Sequence, residues 1–265
     1  MPTSRQVLMS SVQYETDLRA GQLAIADLAP IAARLGLAGV EYRDVYWRDK
    51  QTELPAARAQ LAALGLRGTY ASFSTLFNRD AAKRRQVIQD VEDAAALGST
   101  LLRVFRGELA DESPSDQPMW DGARAVLDRA RDLGVLVVLE NYARTPGNRL
   151  ADVLGALVAL GGSGAGANVL GTNVDIANYV QNDQEPISAI RALAPWVRYV
   201  HLKDVRTSAE GKTATYLGAG SLPYGEILAE LERTGQSFPL CFEFGGGGDP
   251  ERVLRQSIDY LARLA

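Results

Sequence analysis

Residues 133–141, LGVLVVLEN, show the pattern that decides the fold. The Leu-Gly step is a helix stop, because glycine readily adopts the left-handed conformation that closes a helix. The apolar run that follows is typical of a short buried strand. Glu140 then places a carboxylate where that strand ends. The same order of helix, stop, strand and polar strand end recurs along the chain, so this segment illustrates its repeating unit.

Eight strand–helix units fill the chain. The apolar runs that predict strands are 7–14, 39–43, 67–73, 100–107, 135–141, 170–178, 197–205 and 240–245. The segments with helical spacing are 23–35, 54–64, 81–97, 120–133, 150–160, 186–193, 224–234 and 250–264. An open doubly wound sheet also alternates, but it seldom needs eight units without a second domain. The alternation therefore predicts an α/β fold, a single (β/α)8 TIM barrel over residues 1–265.

Composition excludes several classes of protein. The chain has 265 residues, of which 46% are hydrophobic, enough for a large core and against disorder. Its 28 basic and 32 acidic residues show no basic stripe, so we expect no nucleic-acid partner. The lone Cys241 forms no intrachain disulfide, which is typical of a reducing compartment. No apolar run reaches membrane-spanning length and no leader-like segment begins the chain, so we expect a cytoplasmic protein without a membrane partner. A homo-oligomer stays open.

Polar side chains end four consecutive predicted strands. They are Glu140, Asp175, His201, which is the only histidine, and Glu243. In a TIM barrel the carboxyl ends of the strands meet at one mouth, where the chemistry takes place. Three carboxylates there would repel one another strongly at low dielectric constant, and a divalent cation resolves that repulsion. We therefore predict that these four side chains bind one metal ion. The oxygen-rich set favours Mn²⁺ or Mg²⁺, with Co²⁺ or Zn²⁺ as further options.

Six short landmarks occur in order over nearly the whole chain: LAGVEYR, LEN, VDIAN, VHLKD, YLGAGSLPYGEIL and FEFG. This ordered set resembles the xylose isomerase-like TIM barrel superfamily, in particular its sugar phosphate isomerase/epimerase group. The resemblance implies that Glu140, Asp175, His201 and Glu243 are the metal ligands. It also implies that Glu140 and Glu243 are the catalytic acid/base pair. The landmarks are specific for the fold and the metal site, and not for a substrate.

Three positions depart from the ketose epimerases of that group. Asn178, three residues after Asp175, stands where they carry a histidine. Pro146 stands where they carry a second glutamate, and Thr207, with Arg206 beside it, stands where they carry an arginine. The substrate-contacting surround therefore differs, and we do not expect a ketose 3-epimerase in the strict sense.

Further polar residues are candidates for substrate contacts. Lys203 shares the inward face with His201 by strand alternation, and it either binds a substrate oxygen or pairs with a carboxylate. Glu41 ends the second strand, and Arg103 and Arg106 end the fourth, where at least one arginine is expected in a salt bridge. The predicted substrate-binding residues are Lys203, Arg106, Glu41, Asn178 and Arg206.

A metal ion that chelates a carbonyl oxygen and the neighbouring hydroxyl oxygen makes the shared C–H more acidic. One glutamate would remove that proton, and the other would return it to the opposite face or to the neighbouring carbon. This chemistry predicts a divalent-metal-dependent isomerase or epimerase whose partner is a small sugar or polyol substrate. If a β-hydroxyl is expelled instead, the protein is a dehydratase of a keto-inositol or dehydroshikimate-like substrate. A barrel that only binds a sugar is a remote alternative, and a DNA-repair endonuclease on the same scaffold would need several histidines.

Overall fold

Eight parallel strands close into a barrel. The computed structural model describes residues 6–110, 113–161 and 168–264. The barrel strands are β1 (Val7–Ser10), β2 (Gly39–Arg43), β3 (Arg67–Phe77), β4 (Leu101–Gly107), β5 (Leu136–Glu140), β6 (Leu170–Asp175), β7 (Val197–Leu202) and β10 (Leu240–Phe242). They pair in the closed order β1-β10-β7-β6-β5-β4-β3-β2, which confirms the predicted (β/α)8 TIM barrel.

Ten α-helices surround the barrel in the described part of the chain. They are α1 (Glu15–Ala20), α2 (Leu28–Arg34), α3 (Lys50–Leu64), α4 (Ala81–Leu97), α5 (Gln117–Leu133), α6 (Leu150–Gly161), α7 (Ile176–Gln181), α8 (Pro186–Leu193), α9 (Tyr224–Arg233) and α10 (Pro250–Ala262). Eight of them lie at predicted places, whereas the sequence does not predict α1 and α7. No helix in the described part of the chain combines the length and the hydropathy that crossing a bilayer requires.

Glycines stop the helices as the Leu-Gly steps predict. Gly65, Gly98 and Gly134 cap α3, α4 and α5 in the left-handed region, with φ of 65°, 82° and 67°. Gly36 adopts φ 71° just after α2. The fifth step differs, because Gly161 is itself the last residue of α6.

Several strands are shorter than the apolar runs, and two of these differences adjoin the predicted site. The sixth run ends as a strand at Asp175, because the Asp175 carboxylate accepts a hydrogen bond from the Asn178 N–H (2.9 Å) and so caps α7. The seventh run leaves the barrel after Leu202 and forms an antiparallel hairpin of β8 (Asp204–Ser208) and β9 (Gly211–Thr215). Each of these two strands ends at or next to a predicted metal ligand, Asp175 or His201.

The apolar core has two parts. The larger part lies between the strands and the surrounding helices. The smaller part fills the interior of the barrel with Leu8, Leu101, Val138, Tyr199 and Cys241. A packed interior is typical of TIM barrels, and it leaves the carboxyl ends of the strands as the place where a ligand can enter.

Asp204 ties the hairpin to the loop that follows it. Its carboxylate accepts hydrogen bonds from the N–H groups of Val205 (2.8 Å), Leu222 (3.0 Å) and Gly218 (3.1 Å), and the residue is buried. A Cβ atom on Gly220 would lie 2.2 Å from Asp204 Oδ1, so no side chain fits against the carboxylate there. Asp204 therefore fixes the chain on the rim of the barrel next to Lys203.

Replacing Asp204 by alanine leaves three backbone N–H groups without their acceptor. We expect the free energy of unfolding to fall by about 2 to 4 kcal/mol, measured by urea denaturation. Asp249→Ala is the matched control, because Asp249 caps α10 through a single exposed bond to the Arg252 N–H (3.0 Å) and should cost about 1 kcal/mol. An Asp204→Ala variant no less stable than that control would contradict this account of the loop.

Candidate metal and active site

The barrel brings the four predicted metal ligands to one mouth. Asp175 and His201 are register partners on β6 and β7, and Glu140 ends β5. Glu243 follows β10 directly, and its N–H donates to the carbonyl of Leu202, which places it beside β7 (3.1 Å). All four are almost completely buried. Strand ends thus supply one oxygen-rich cluster with one imidazole.

The imidazole of His201 is oriented by Glu41. His201 Nε2 lies 2.7 Å from Glu41 Oε2, and both side chains are fully buried. When the ring is neutral and donates its Nε2 proton to Glu41, Nδ1 carries the free lone pair. A carboxylate that accepts from the distal nitrogen of a metal-binding histidine is the usual arrangement around metal sites. Glu41 therefore orients the His201 ring in the structure, and its predicted contact with a substrate stays a prediction.

The inner nitrogen faces two carboxylates without a hydrogen bond. His201 Nδ1 lies 3.6 Å from both Glu140 Oε2 and Asp175 Oδ2. His201 Nδ1 is buried and makes no hydrogen bond, whereas Asp175 Oδ2 and Glu140 Oε2 are balanced by Lys203 and Arg103. One ligand atom from each of Glu140, Asp175 and His201 lies within 4.8 Å of the other two. These donor atoms, too far apart to bond one another and cut off from water, fit a cation placed between them.

Lys203 supplies a positive charge to the same cluster. Its Nζ lies 2.6 Å from Asp175 Oδ2 and 2.6 Å from Glu243 Oε2. The ion pair that the sequence leaves open is thus present, and the ammonium group separates Glu243 from the other three predicted ligands. Glu243 can therefore join a common cation only when the Lys203 side chain moves aside.

Two arginines hold the two predicted acid/base residues. Arg103 Nε lies 2.8 Å from Glu140 Oε2, and Arg103 Nη1 donates to the Ser72 carbonyl (2.8 Å). The Arg43 guanidinium pairs with Glu243 Oε1. Sequence reasoning missed Arg43, although a signal existed: it lies two residues after Glu41 on β2 and so shares its inward face.

Asn178 contacts a protein carboxylate. Its Nδ2 donates to Glu140 Oε1 (3.1 Å), and Asn173 Nδ2 lies 3.4 Å from Glu140 Oε2. Because Asn178 belongs to the first turn of α7, the cap that Asp175 provides also positions this amide. Asn178 therefore orients Glu140 in the structure, and its predicted contact with a substrate stays a prediction.

The structure does not bring Arg106 or Arg206 into the cluster. Phe105 is the register partner of Glu140, so Arg106 has the opposite parity and points away from the interior. Arg106 Nη1 donates to the carbonyls of Gly107 (3.2 Å) and Glu108. Arg206 is exposed on the hairpin, where its Nε donates to the Ala219 carbonyl (2.8 Å). On β4, Arg103 and not Arg106 takes the inward position.

Burial and the neighbouring charges shift the pKa values of the buried groups in opposite directions. Burial raises the pKa of Asp175, but Lys203 and then His201 bring that pKa below its ordinary value. Burial likewise raises the pKa of Glu41, and His201 lowers it again, below its ordinary value. Burial lowers the pKa of His201, but Glu41 and Glu140 outweigh this and raise the pKa to about 9. Asp175 and Glu41 are therefore ionised, which is the form in which carboxylates bind cations.

Comparison with known proteins supports the fold. A family model described as xylose isomerase-like TIM barrel matches residues 29–264. The uncharacterized protein YihM of Escherichia coli strain K12 is 29% identical over 92 residues, which are 33% of this chain and 26% of YihM, so the match spans about a quarter of that relative.

Solved structures share the whole barrel. The probable 3-DHS dehydratase AsbF of Bacillus anthracis has a TM-score of 0.76 at 16% identity, covering 97% of this chain and 98% of its own. The 3-keto-D-glucoside 4-epimerase YcjR of E. coli has a TM-score of 0.75 at 16% identity, covering 98% and 100%. At these identities the likeness shows the fold alone.

Removing Glu41 should destabilise the protein strongly. Glu41→Ala leaves the His201 Nε2 group buried without a partner, so we expect the free energy of unfolding to fall by about 3 to 5 kcal/mol in urea titrations with a chelator present. Glu41→Gln keeps an oxygen acceptor and should lose less. Glu92→Ala, which breaks a half-exposed pair with Arg129, should cost less than about 1 kcal/mol. Equal losses of stability in Glu41→Ala and Glu92→Ala would show that the Glu41–His201 pair stabilises the protein no more than a surface ion pair does.

Proposed function

Since this chain belongs to the xylose isomerase-like TIM barrel family, we propose that it is a divalent-metal-dependent isomerase or epimerase of a small sugar or polyol. The observation that carries the proposal is the buried His201 Nδ1, which makes no hydrogen bond and faces Glu140 Oε2 and Asp175 Oδ2 at 3.6 Å, within one group of potential metal ligands. A purely structural histidine would have a partner for this nitrogen, because an unpaired buried polar atom is costly.

Glu140, Asp175, His201 and Glu243 would hold the metal ion, with Mn²⁺ or Mg²⁺ favoured by the three carboxylates and Co²⁺ or Zn²⁺ as further options. When bound, the ion would act as a Lewis acid toward a carbonyl group of the substrate. Glu41 would keep the His201 ring in its tautomer and orientation through the bond to Nε2.

Glu140 and Glu243 would move the proton. They come from β5 and the end of β10, which are separated by β6 and β7 around the barrel, so they approach a central carbon from different sides. One carboxylate would take the proton beside the carbonyl, and the other would return it to the opposite face or to the neighbouring carbon. Arg103 and Asn178 would fix Glu140 in place, while Arg43 would fix Glu243.

Dehydration is the second candidate, because it begins with the same proton abstraction. The fold of the probable 3-DHS dehydratase AsbF overlays 97% of this chain, so the scaffold is compatible with either outcome. The fate of the intermediate separates the two: return of the proton gives an isomerised product, and departure of a β-hydroxyl gives water and an unsaturated product.

Metal content tests the binding site directly. After dialysis against Mn²⁺ and then against metal-free buffer, we expect elemental mass spectrometry to find about one equivalent in the wild type. His201→Ala removes the one nitrogen ligand and should lose that equivalent, while Glu92→Ala, on the surface of α4, should keep it. Circular dichroism would verify that each variant is folded. A wild-type protein that binds no metal would contradict the proposed metal-dependent reaction.

Exchange of solvent deuterium tests the chemistry. The Mn²⁺-loaded enzyme would be incubated in D₂O with a panel of ketoses and keto-polyols. We expect it to introduce deuterium into the substrate beside a carbonyl, and mass spectrometry would measure that uptake. Glu140→Gln and Glu243→Gln should each lower the rate by about 10² to 10⁴-fold, because each keeps an oxygen but loses the base. Arg124→Ala, exposed on α5, should exchange like the wild type. Loss of water in place of simple exchange would identify the dehydratase.

A further inference from the structure

The side chains that line the cavity above the predicted metal ligands carry unequal numbers of positive and negative charges. The volume of this cavity is about 40 Å³, far below that of an ordinary ligand site. The charged side chains that line it are the cations of Arg43, Arg103 and Lys203 and the carboxylates of Glu140 and Glu243. The wall thus presents one more positive than negative charge, and Asp44, which also attracts Arg103, is bonded to Ser72 and does not line the cavity.

We propose that this cavity selects a substrate with one carboxylate group, held by Arg43 together with Lys203. The inference rests on the proposed function, because it names the substrate class of the same site. Among the lining groups alone, three cations face two carboxylates, so one positive charge is in excess. A ligand with a single negative charge restores neutrality in a place where an unpaired charge is costly.

The three cations differ in how much of their surface is exposed. Arg103 is nearly fully buried and pairs with Glu140 and the Ser72 carbonyl. Arg43 pairs with Glu243, and its side chain is 13% exposed, against 1% for Arg103 and 9% for Lys203. Arg43 is therefore the most exposed of the three cations that line the cavity.

A guanidinium group suits a carboxylate better than it suits a hydroxyl group. Its planar fork offers two parallel N–H groups that match the two carboxylate oxygens. Lys203 would add a second charge, because Asp175 and Glu243, which now share its ammonium group, would be engaged by the metal ion. Arg43 and Lys203 flank Glu243, so the carboxylate would lie near one of the two proton-transfer residues.

The rest of the wall is aromatic and defines the other side of the ligand. Phe105 and Tyr142 stack with ring centroids 4.9 Å apart, and Phe73 meets Phe105 edge-on at 5.7 Å. Phe73 is 41% exposed, unusual for a large apolar residue, and Arg43 lies over its ring. Such a wall accepts the C–H face of a sugar ring or carbon chain. A hydroxylated monocarboxylate fits both sides, whereas a phosphate ester carries a charge of nearly two.

Matched ligand sets test the charge preference. One set is D-glucose, D-glucuronate and D-glucose 6-phosphate, another is D-galactose, D-galacturonate and D-galactose 6-phosphate, and a third is D-sorbitol with D-gluconate. Dissociation constants on the Mn²⁺-loaded protein would be measured by calorimetry at constant ionic strength. In at least one set we expect the carboxylate to bind about tenfold or more tightly than its neutral and phosphate counterparts.

Variants assign the preference to Arg43. Arg43→Gln should bind the carboxylate and the neutral member about equally, and Arg43→Lys, which keeps the charge but loses the fork, should fall between Arg43→Gln and the wild type. Arg191→Gln, on the outer surface of α8, should behave like the wild type. Circular dichroism would show that the variants are folded.

Several results would overturn the inference: a neutral sugar binding as tightly as its carboxylate, a phosphate binding more tightly, no carboxylate binding at all, or a preference that survives in Arg43→Gln. Its failure is distinguishable from failure of the proposed function. A protein that takes up no metal yet prefers carboxylates through Arg43 keeps this inference and loses the metal-dependent reaction. A metal-loaded protein that exchanges deuterium into a neutral ketose without any carboxylate preference supports the metal-dependent reaction and contradicts this inference.

Discussion

Four acidic side chains buried at the mouth of one barrel impose the constraint on which the site depends. Glu41, Glu140, Asp175 and Glu243 are almost inaccessible to water, and a buried carboxylate is tolerated only with a partner. Arg103, Arg43, Lys203 and the imidazole of His201 provide those partners. The strands bring the acids together through their register, and each acid then has to be matched from a neighbouring strand. The polar architecture of the mouth follows from this requirement.

The cationic partners of these carboxylates differ in how firmly the structure holds them. Arg103 is tied to the backbone of β3 as well as to Glu140, so it is a fixed counter-charge. Lys203 bridges two carboxylates through one flexible side chain, so it can be displaced at modest cost in geometry. When Lys203 moves aside, Asp175 and Glu243 would be free for a metal ion, while Arg103 keeps Glu140 paired. The same Lys203 that balances the charge of the acids is then the group that a ligand meets.

The sequence predicts the barrel well, because its signals are local. Apolar runs, helical spacing and Leu-Gly stops each act within a few residues, and together they place all eight barrel strands. The convergence of Glu140, Asp175, His201 and Glu243 follows from the same reasoning, since parallel strands end on one side. What the sequence does not give is inter-strand register. The choice between Arg103 and Arg106 depends on Phe105 lying opposite Glu140, a pairing that no local pattern encodes. The sequence pattern assigns the starts of β8 and of the short α7 to the ends of longer β-rich runs, and it does not predict β9.

The imidazole of His201 is the only one among 265 residues, and it lies at the centre of the site. An imidazole resonance in a nuclear magnetic resonance spectrum of this chain therefore needs no assignment. One nitrogen of that ring reports its bond to Glu41, and the other reports whatever lies between Glu140 and Asp175. The composition of the chain has thus left one imidazole as a spectroscopic probe within the buried cluster, with no background signal from other histidines.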